Sequence, residues 1–226
     1  MSELAPSLRS KLFGIASRTR SYSDHPAIIQ WKEYGPLSAE ELFAFPERRR
    51  ILELGSGWGE FAIAWCRTFS DSYVAMEIKP DRIHATLKKI DRFELSNLRI
   101  LPVNFEWFLE ELLPAQSFDG IIVNFPDPWP KKRHWKHRLI QDAFPKIAHS
   151  LTRPGAFLHI ATDHGPYSRR ILQRFRKSPD LWSSNMNAPG YSLVRPEGIP
   201  ETYFERVQSR LGYRPRFMQW RRIDGN

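Results

Sequence analysis

Residues 124–138 read Asn-Phe-Pro-Asp-Pro-Trp-Pro-Lys-Lys-Arg-His-Trp-Lys-His-Arg and set one carboxylate, Asp127, beside the cations Lys131, Lys132, Arg133, Lys136 and Arg138. Three prolines surround the acid and the indole of Trp129. Proline fixes φ and cannot donate to a sheet ladder, so the apolar run before Asn124 must end here in a stiff loop. A solvated turn before a helix has no need of three prolines around an acid and an indole. A strand end that holds one acid rigidly beside a cationic patch reads instead as part of a site.

A second constellation lies upstream. Glu53 precedes Gly55-Ser-Gly57-Trp-Gly59, and Glu77 follows the loop by about twenty residues. Glycines let the backbone turn sharply and approach a ligand closely. An acid at that distance can accept hydrogen bonds from both ribose hydroxyls of an adenosine. The glycines fall at every second position, not in the Gly-x-Gly-x-x-Gly spacing of dinucleotide sites. A pyrophosphate also disfavours an extra negative charge beside the helix amides. Glu53 suits a cofactor that carries cations and no phosphate, which favours S-adenosylmethionine over NAD. Asn104 closes a later strand, where its amide could pair with an adenine edge.

These residues need strands to hold them. Apolar runs predict strands at 50–54, 73–78, 98–103, 118–125, 155–162 and 216–223. Helical spacing predicts helices at 60–69, 79–95, 106–113, 133–151 (interrupted by Pro145), 167–177 and 201–211. The alternation argues for an open parallel sheet with helices on both faces, an α/β fold. Asp163 closes the fifth strand, where it is either a ligand or a cap for the next helix. In the last helix Phe204, Val207 and Leu211 share a face, which predicts Phe204 inside and Glu205 free to reach a cleft. Thr202 and Glu205 also fit a capping box. The Pro- and Gly-rich loop before them could move as a lid.

With 226 residues, 41% hydrophobic and 26% charged, the chain suits one α/β domain with an extension. The reading divides it into an N-terminal basic arm, 1–45, carrying Arg9, Lys11, Arg18 and Arg20, and a domain, 46–226. A net charge of +9 argues for a polyanionic partner. One cysteine, Cys66, rules out an intrachain disulfide and a cysteine-rich zinc site, and no metal is expected. No apolar span or signal peptide is evident, which predicts a cytoplasmic protein with no membrane partner. Oligomeric state is open between monomer and homodimer.

Taken in order, Glu53-Leu-Gly-Ser-Gly-Trp-Gly59, Glu77-Ile78, Phe125-Pro-Asp-Pro-Trp-Pro-Lys-Lys-Arg-His134, Ala161-Thr-Asp163 and Thr202-Tyr-Phe-Glu205 resemble the bacterial tRNA (guanine-N7-)-methyltransferases, over roughly residues 48–220. The resemblance implies a class I methyltransferase (Rossmann-like) sheet, mostly parallel, with seven strands and an antiparallel last strand. It implies S-adenosylmethionine as cofactor and methylation of ring nitrogen 7 of one guanosine in the tRNA variable loop. It places the cofactor on Glu53, Gly55, Gly57, Gly59, Glu77, Asn104 and Asp127, with Asp127 also catalytic. It places tRNA on Lys131, Arg133, Asp163, Thr202 and Glu205. The chain departs from the family at His137, where an arginine is usual, at Asn104, where an acid is frequent, and in its opening residues. Two other readings stand beside it. Methylation of an exocyclic amine is one, although such enzymes commonly carry Asn/Asp-Pro-Pro-Tyr here. A non-catalytic RNA-binding module is the other, and the intact Glu53, Glu77 and Asp127 argue against it.

Overall fold

The central strands are runs of branched and aromatic residues because helices cover the sheet on both faces. The computed structural model describes residues 24–30, 36–103 and 105–224. The strands are β1 (Arg50–Leu54), β2 (Ser72–Met76), β3 (Leu98–Leu101), β4 (Phe118–Asn124), β5 (Thr152–Thr162), β6 (Trp182–Ser184) and β7 (Arg216–Arg222). They form one sheet in the order β3-β2-β1-β4-β5-β7-β6. The first five pair in parallel, and β7 runs antiparallel to both β5 and β6. The expected sheet, with its antiparallel last strand, is therefore present.

The helices are α1 (Ala39–Leu42), α2 (Glu60–Thr68), α3 (Pro80–Arg92), α4 (Phe105–Leu112), α5 (Phe144–Leu151), α6 (Gly165–Arg176) and α7 (Tyr203–Arg210), with a 3-10 helix at Lys132–His137. Successive strand residues point to opposite faces. Accordingly, Ile51, Tyr73 and Ile122 pack with Phe61 and Trp65 of α2 and Ile83 and Leu87 of α3. Leu52, Val74 and Ile121 pack on the other side with Phe144 of α5 and Tyr167 and Ile171 of α6. Cys66 is buried in the first of these clusters, as its apolar setting predicts.

Some local readings change. The segment 133–151 is not one helix interrupted by Pro145. A 3-10 helix and a connector precede α5, and Pro145 sits in its first turn, where its missing N–H costs nothing. The three-residue β6 lies in what the sequence presents as loop. Of the expected arm, residues 1–23 and 31–35 lie outside the described residues, including Arg9, Lys11, Arg18 and Arg20. Ile28 bridges in parallel to Ile100 at the edge of the sheet, and Ile29, Leu37, Leu42 and Phe43 belong to the core.

Candidate active site

Parallel strands put all their carboxyl ends on one side, and in open α/β sheets ligands bind there. Here that side carries Glu53 near the end of β1, the loop 55–59, Glu77 just past β2, Asn124 at the end of β4 and Asp163 just past β5.

The glycine loop has the expected form. Gly55, Gly57 and Gly59 have φ of 77°, 60° and 77°, a region that side chains disfavour. Gly59 is also required by space, since a Cβ there would lie 2.4 Å from the Thr86 hydroxyl on α3. A Cβ on Gly57 would meet nothing within 4 Å, so the backbone there borders open space. Glu77 fixes this loop. Its carboxylate accepts from Gly57 N at 2.9 Å, Ile78 N at 2.8 Å and Lys79 N at 3.0 Å, and Arg82 Nη1 stands 3.5 Å away. Glu77 is thus part of the loop's scaffold as well as a candidate ligand, a double role the sequence does not reveal.

Glu53 is buried, 1% exposed. Tyr73 Oη donates to it at 3.1 Å and Asn124 Nδ2 at 3.4 Å. Burial pushes its carboxyl up from 4.5 to about 7, against those two hydrogen bonds. The Asn124 contact joins β1 to β4 at the point where the proline loop leaves. An open cradle at Gly57 beside the carboxyl groups of Glu53 and Glu77 fits an adenosine cofactor bearing positive charge. Asn104 lies outside the described residues.

The proline loop is held from below. Phe125 N donates to Ala161 O at 2.8 Å, extending the β4–β5 ladder by one residue. Phe125 and Trp129 then adopt φ of 49° and 40°, left-handed conformations that cost a side-chain-bearing residue roughly 1–2 kcal/mol. Strain of this kind persists where the surroundings over-determine it. Arg138 supplies that constraint. Its Nε donates to Pro128 O at 2.6 Å and its Nη2 to Trp129 O at 3.2 Å. Its guanidinium lies 4.8 Å from the ring centroids of both Trp135 and Tyr167. Trp129 packs edge-on against His134 and tilted against His137. Asp127 is left exposed, with no partner for its carboxylate among the described residues.

The basic run therefore divides. Lys131, Lys132, Arg133 and Lys136 are exposed and meet no carboxylate among the described residues. Arg138, grouped with them by sequence, is 4% exposed and turned inward. Its signal was its place next to Leu139 and the buried Ile140, which charge counting overlooks.

Asp163 is half-buried, with no partner among the described residues. The cap before Tyr167 is its neighbour: His164 Nδ1 accepts from Tyr167 N at 3.0 Å. Thr202 and Glu205 form the capping box of α7, with Glu205 N donating to Thr202 Oγ1 at 2.9 Å and Thr202 N to Glu205 Oε2 at 3.4 Å. Arg195 Nε donates to Glu205 Oε1 at 3.0 Å. The face expected to be buried is reversed. Phe204 is 41% and Leu211 67% exposed, whereas Glu205 is the buried residue of α7, drawn inward by Arg195. Arg195, ten residues upstream in an irregular loop, carries no sequence signal for this pairing.

Residues 47–209 match the family model described as "Putative methyltransferase". A tRNA (guanine-N(7)-)-methyltransferase of Leptospira interrogans serogroup Icterohaemorrhagiae serovar copenhageni (strain Fiocruz L1-130) is 39% identical over 208 residues, covering 92% of this chain and 93% of the relative. Its counterpart in Nitrosospira multiformis is 39% identical over 166 residues, 73% of this chain and 70% of that one. Among solved structures, the 16S rRNA methyltransferase KamB aligns with a TM-score of 0.55 at 17% identity, over 79% of this chain and 89% of that one. The aminoglycoside resistance methyltransferase NpmB1 gives 0.54 at 18%, over 85% and 95%. These two establish the class I methyltransferase fold alone. The motif order, the site at the strand ends and the near-full-length relatives together place this chain in the tRNA (guanine-N(7)-)-methyltransferase family.

Proposed function

We propose that the protein methylates ring nitrogen 7 of a guanosine in tRNA, in the variable loop, with S-adenosylmethionine as methyl donor. The observation that carries the reading is the exposed Asp127 on its clamped loop at the strand ends, followed by a run of exposed cations, none of which meets a carboxylate among the described residues. S-adenosylmethionine, when bound, supplies an electrophilic methyl group. Gly55, Gly57 and Gly59 would form its cradle, Glu77 at the end of β2 would hold its ribose hydroxyls, and Glu53 would offer negative charge to its cationic end.

Nitrogen 7 carries a free lone pair, so its methylation needs no base to remove a proton. The protein must align that lone pair and tolerate the positive charge that builds on the purine. Asp127 is placed for the second task, as a preorganised carboxylate on a rigid loop. Guanine also presents ring and exocyclic N–H donors, which pair with carboxylates. Asp163 is the freer acceptor. Glu205 can serve only if Arg195 yields one oxygen. Thr202, only 7% exposed, would donate its hydroxyl proton to ribose or phosphate, and the exposed Lys131 and Arg133 would meet the backbone. No described helix is long and apolar enough to cross a membrane, and a cytoplasmic enzyme is consistent with that. Incubation with bulk tRNA and labelled S-adenosylmethionine, followed by nucleoside analysis, tests the reading. 7-Methylguanosine is expected, and a different methylated nucleoside would reject it.

A further inference from the structure

Helix α7 is inverted: Arg195 and the capping box hold its acid inside, but nothing in those contacts accounts for the aromatic turned outward. It buries Glu205 and leaves Phe204 at 41% exposure. Burying a phenylalanine normally stabilises a fold, so an amphipathic helix that turns one outward forgoes part of that gain. Nor is the exposure scattered: of the eight large hydrophobic residues exposed among the described residues, six (Leu193, Val194, Tyr203, Phe204, Leu211 and Tyr213) fall within residues 193–213. Among the described residues Phe204 has one aromatic neighbour, Phe125, with ring centroids 4.8 Å apart and planes at 50°. Phe125 is the strained first residue of the proline loop, φ 49°, and its amide is anchored to Ala161. The pair thus links the two segments that hold the substrate candidates. Phe125 lies between Asn124 and Asp127, and Phe204 lies between Thr202 and Glu205.

We propose that Phe204, backed by Phe125, is the platform on which the target purine stacks. This deepens the proposed function and rests on it. A ring anchored on one side and open to solvent offers a π-face at the mouth of the site, and every base has a π-face to match. The chemistry sharpens the fit. Alkylation at nitrogen 7 leaves the purine cationic, and an aromatic face attracts a cation. The platform binds the charged transition state more tightly than the neutral base, so it acts on kcat as well as KM. The exposed cations of 131–136 hold the phosphates of the same strand, and no acid meets them among the described residues.

The test is Phe204→Leu beside Phe204→Tyr in the full-length protein. Leucine keeps apolar volume and helix propensity and removes the π-face, whereas tyrosine keeps it. Phe204→Leu is expected to lower kcat/KM for tRNA by about 5- to 150-fold, the range of one base–aromatic stack. Phe204→Tyr should restore most of it. S-adenosylmethionine affinity by calorimetry and the melting temperature should stay at wild-type values in both. With 2-aminopurine at the target position of the tRNA, binding to wild type should quench fluorescence, and Phe204→Leu should relieve the quenching. Wild-type kcat/KM in Phe204→Leu, or a loss that tyrosine does not repair, overturns the platform and leaves the proposed function standing. A change only in self-association would assign the patch to a protein contact and overturn it equally. Absence of 7-methylguanosine with the wild-type protein would remove the proposed function and the platform together.

Discussion

Arg138→Met separates a structural cation from a nucleic-acid contact. The guanidinium donates to two carbonyl oxygens of the proline loop and lies against Trp135 and Tyr167. Hydrogen bonds from a charged donor contribute roughly 1.5–3 kcal/mol each, and a partly desolvated cation–π contact about 1 kcal/mol. Burying the guanidinium offsets part of that sum, and burial also lowers its pKa. A net loss of about 2–4 kcal/mol is expected, read by urea unfolding. For a chain of this size that corresponds to a fall in Tm on the order of 5–15 °C. Freed of the clamp, Phe125 and Trp129 can relax from their left-handed conformations, and Asp127 loses its fixed position, so kcat should fall. S-adenosylmethionine affinity should hold, because Arg138 does not touch the glycine loop. The decisive assay is the salt dependence of tRNA affinity. An exposed phosphate contact contributes a log–log slope of roughly 0.7–0.9. Lys136→Met should lower the slope by about that amount, and Arg138→Met by far less. A stable Arg138→Met protein that loses a full contact's slope would show that this guanidinium faces RNA and does not hold the loop.

Removing the charge of Lys132 and Lys136 together should flatten the salt slope by about 1.4–1.8 if both meet phosphates; an unaltered slope would return the run to a solvated face. Asp127→Asn keeps shape and reach but removes charge, so turnover should fall steeply with tRNA affinity little changed, and near-normal turnover would remove Asp127 from the catalytic role. Glu205→Gln can still cap α7 and accept from Arg195, so its stability cost should be roughly 1 kcal/mol. A loss of tRNA methylation no larger than that cost implies would leave Glu205 as a cap alone.

The parts of the site legible in the sequence are those whose reasons are local. Strand, glycine loop and helix at 50–69 follow one another along the chain, and positive φ at Gly55, Gly57 and Gly59 is what alternating glycines permit. Asp127 lies on a loop that leaves the sheet just past β4, as its prolines require. What could not be read depends on distant partners. Glu205 turns inward because Arg195 reaches it, and that reverses the face that hydrophobic spacing assigns to α7. Arg138 turns inward because Pro128 and Trp129 present carbonyls to it, and nothing distinguishes it from Lys136 in a count of charges. Pro145 is ambiguous in principle, since the residue that breaks a helix interior is also favoured in a first turn. The helix cap is His164, one residue past Asp163, so the cap alternative for Asp163 fails and its carboxylate has no partner among the described residues.

On the proposed function, Glu53 would link cofactor binding to pH. Burial raises its carboxyl from 4.5 to about 7. Between those values the folded protein holds a proton that the unfolded chain has lost, so this residue's contribution to stability falls as pH rises through the window and is flat above it. The decline is on the order of 3 kcal/mol. A cationic ligand beside Glu53 reverses the preference, because it favours the carboxylate and draws the pKa down. Below about pH 7, binding S-adenosylmethionine should therefore release a proton from this group, and affinity should climb with pH by up to about tenfold per unit before levelling off. Calorimetry from pH 6 to 8, in two buffers of different ionisation enthalpy, reads the released proton directly. Glu53→Gln cannot release it, while any contribution from the ligand's own amine is common to both proteins and cancels in the comparison. S-adenosylhomocysteine refines the result, since it keeps the ammonium but lacks the sulfonium charge. Equal release with both ligands places Glu53 by the amino acid end, and release with S-adenosylmethionine alone places it by the sulfur. The same pH dependence in wild type and Glu53→Gln would mean that the buried carboxyl is bound to Tyr73 and Asn124 for structural reasons and never meets the cofactor's charge.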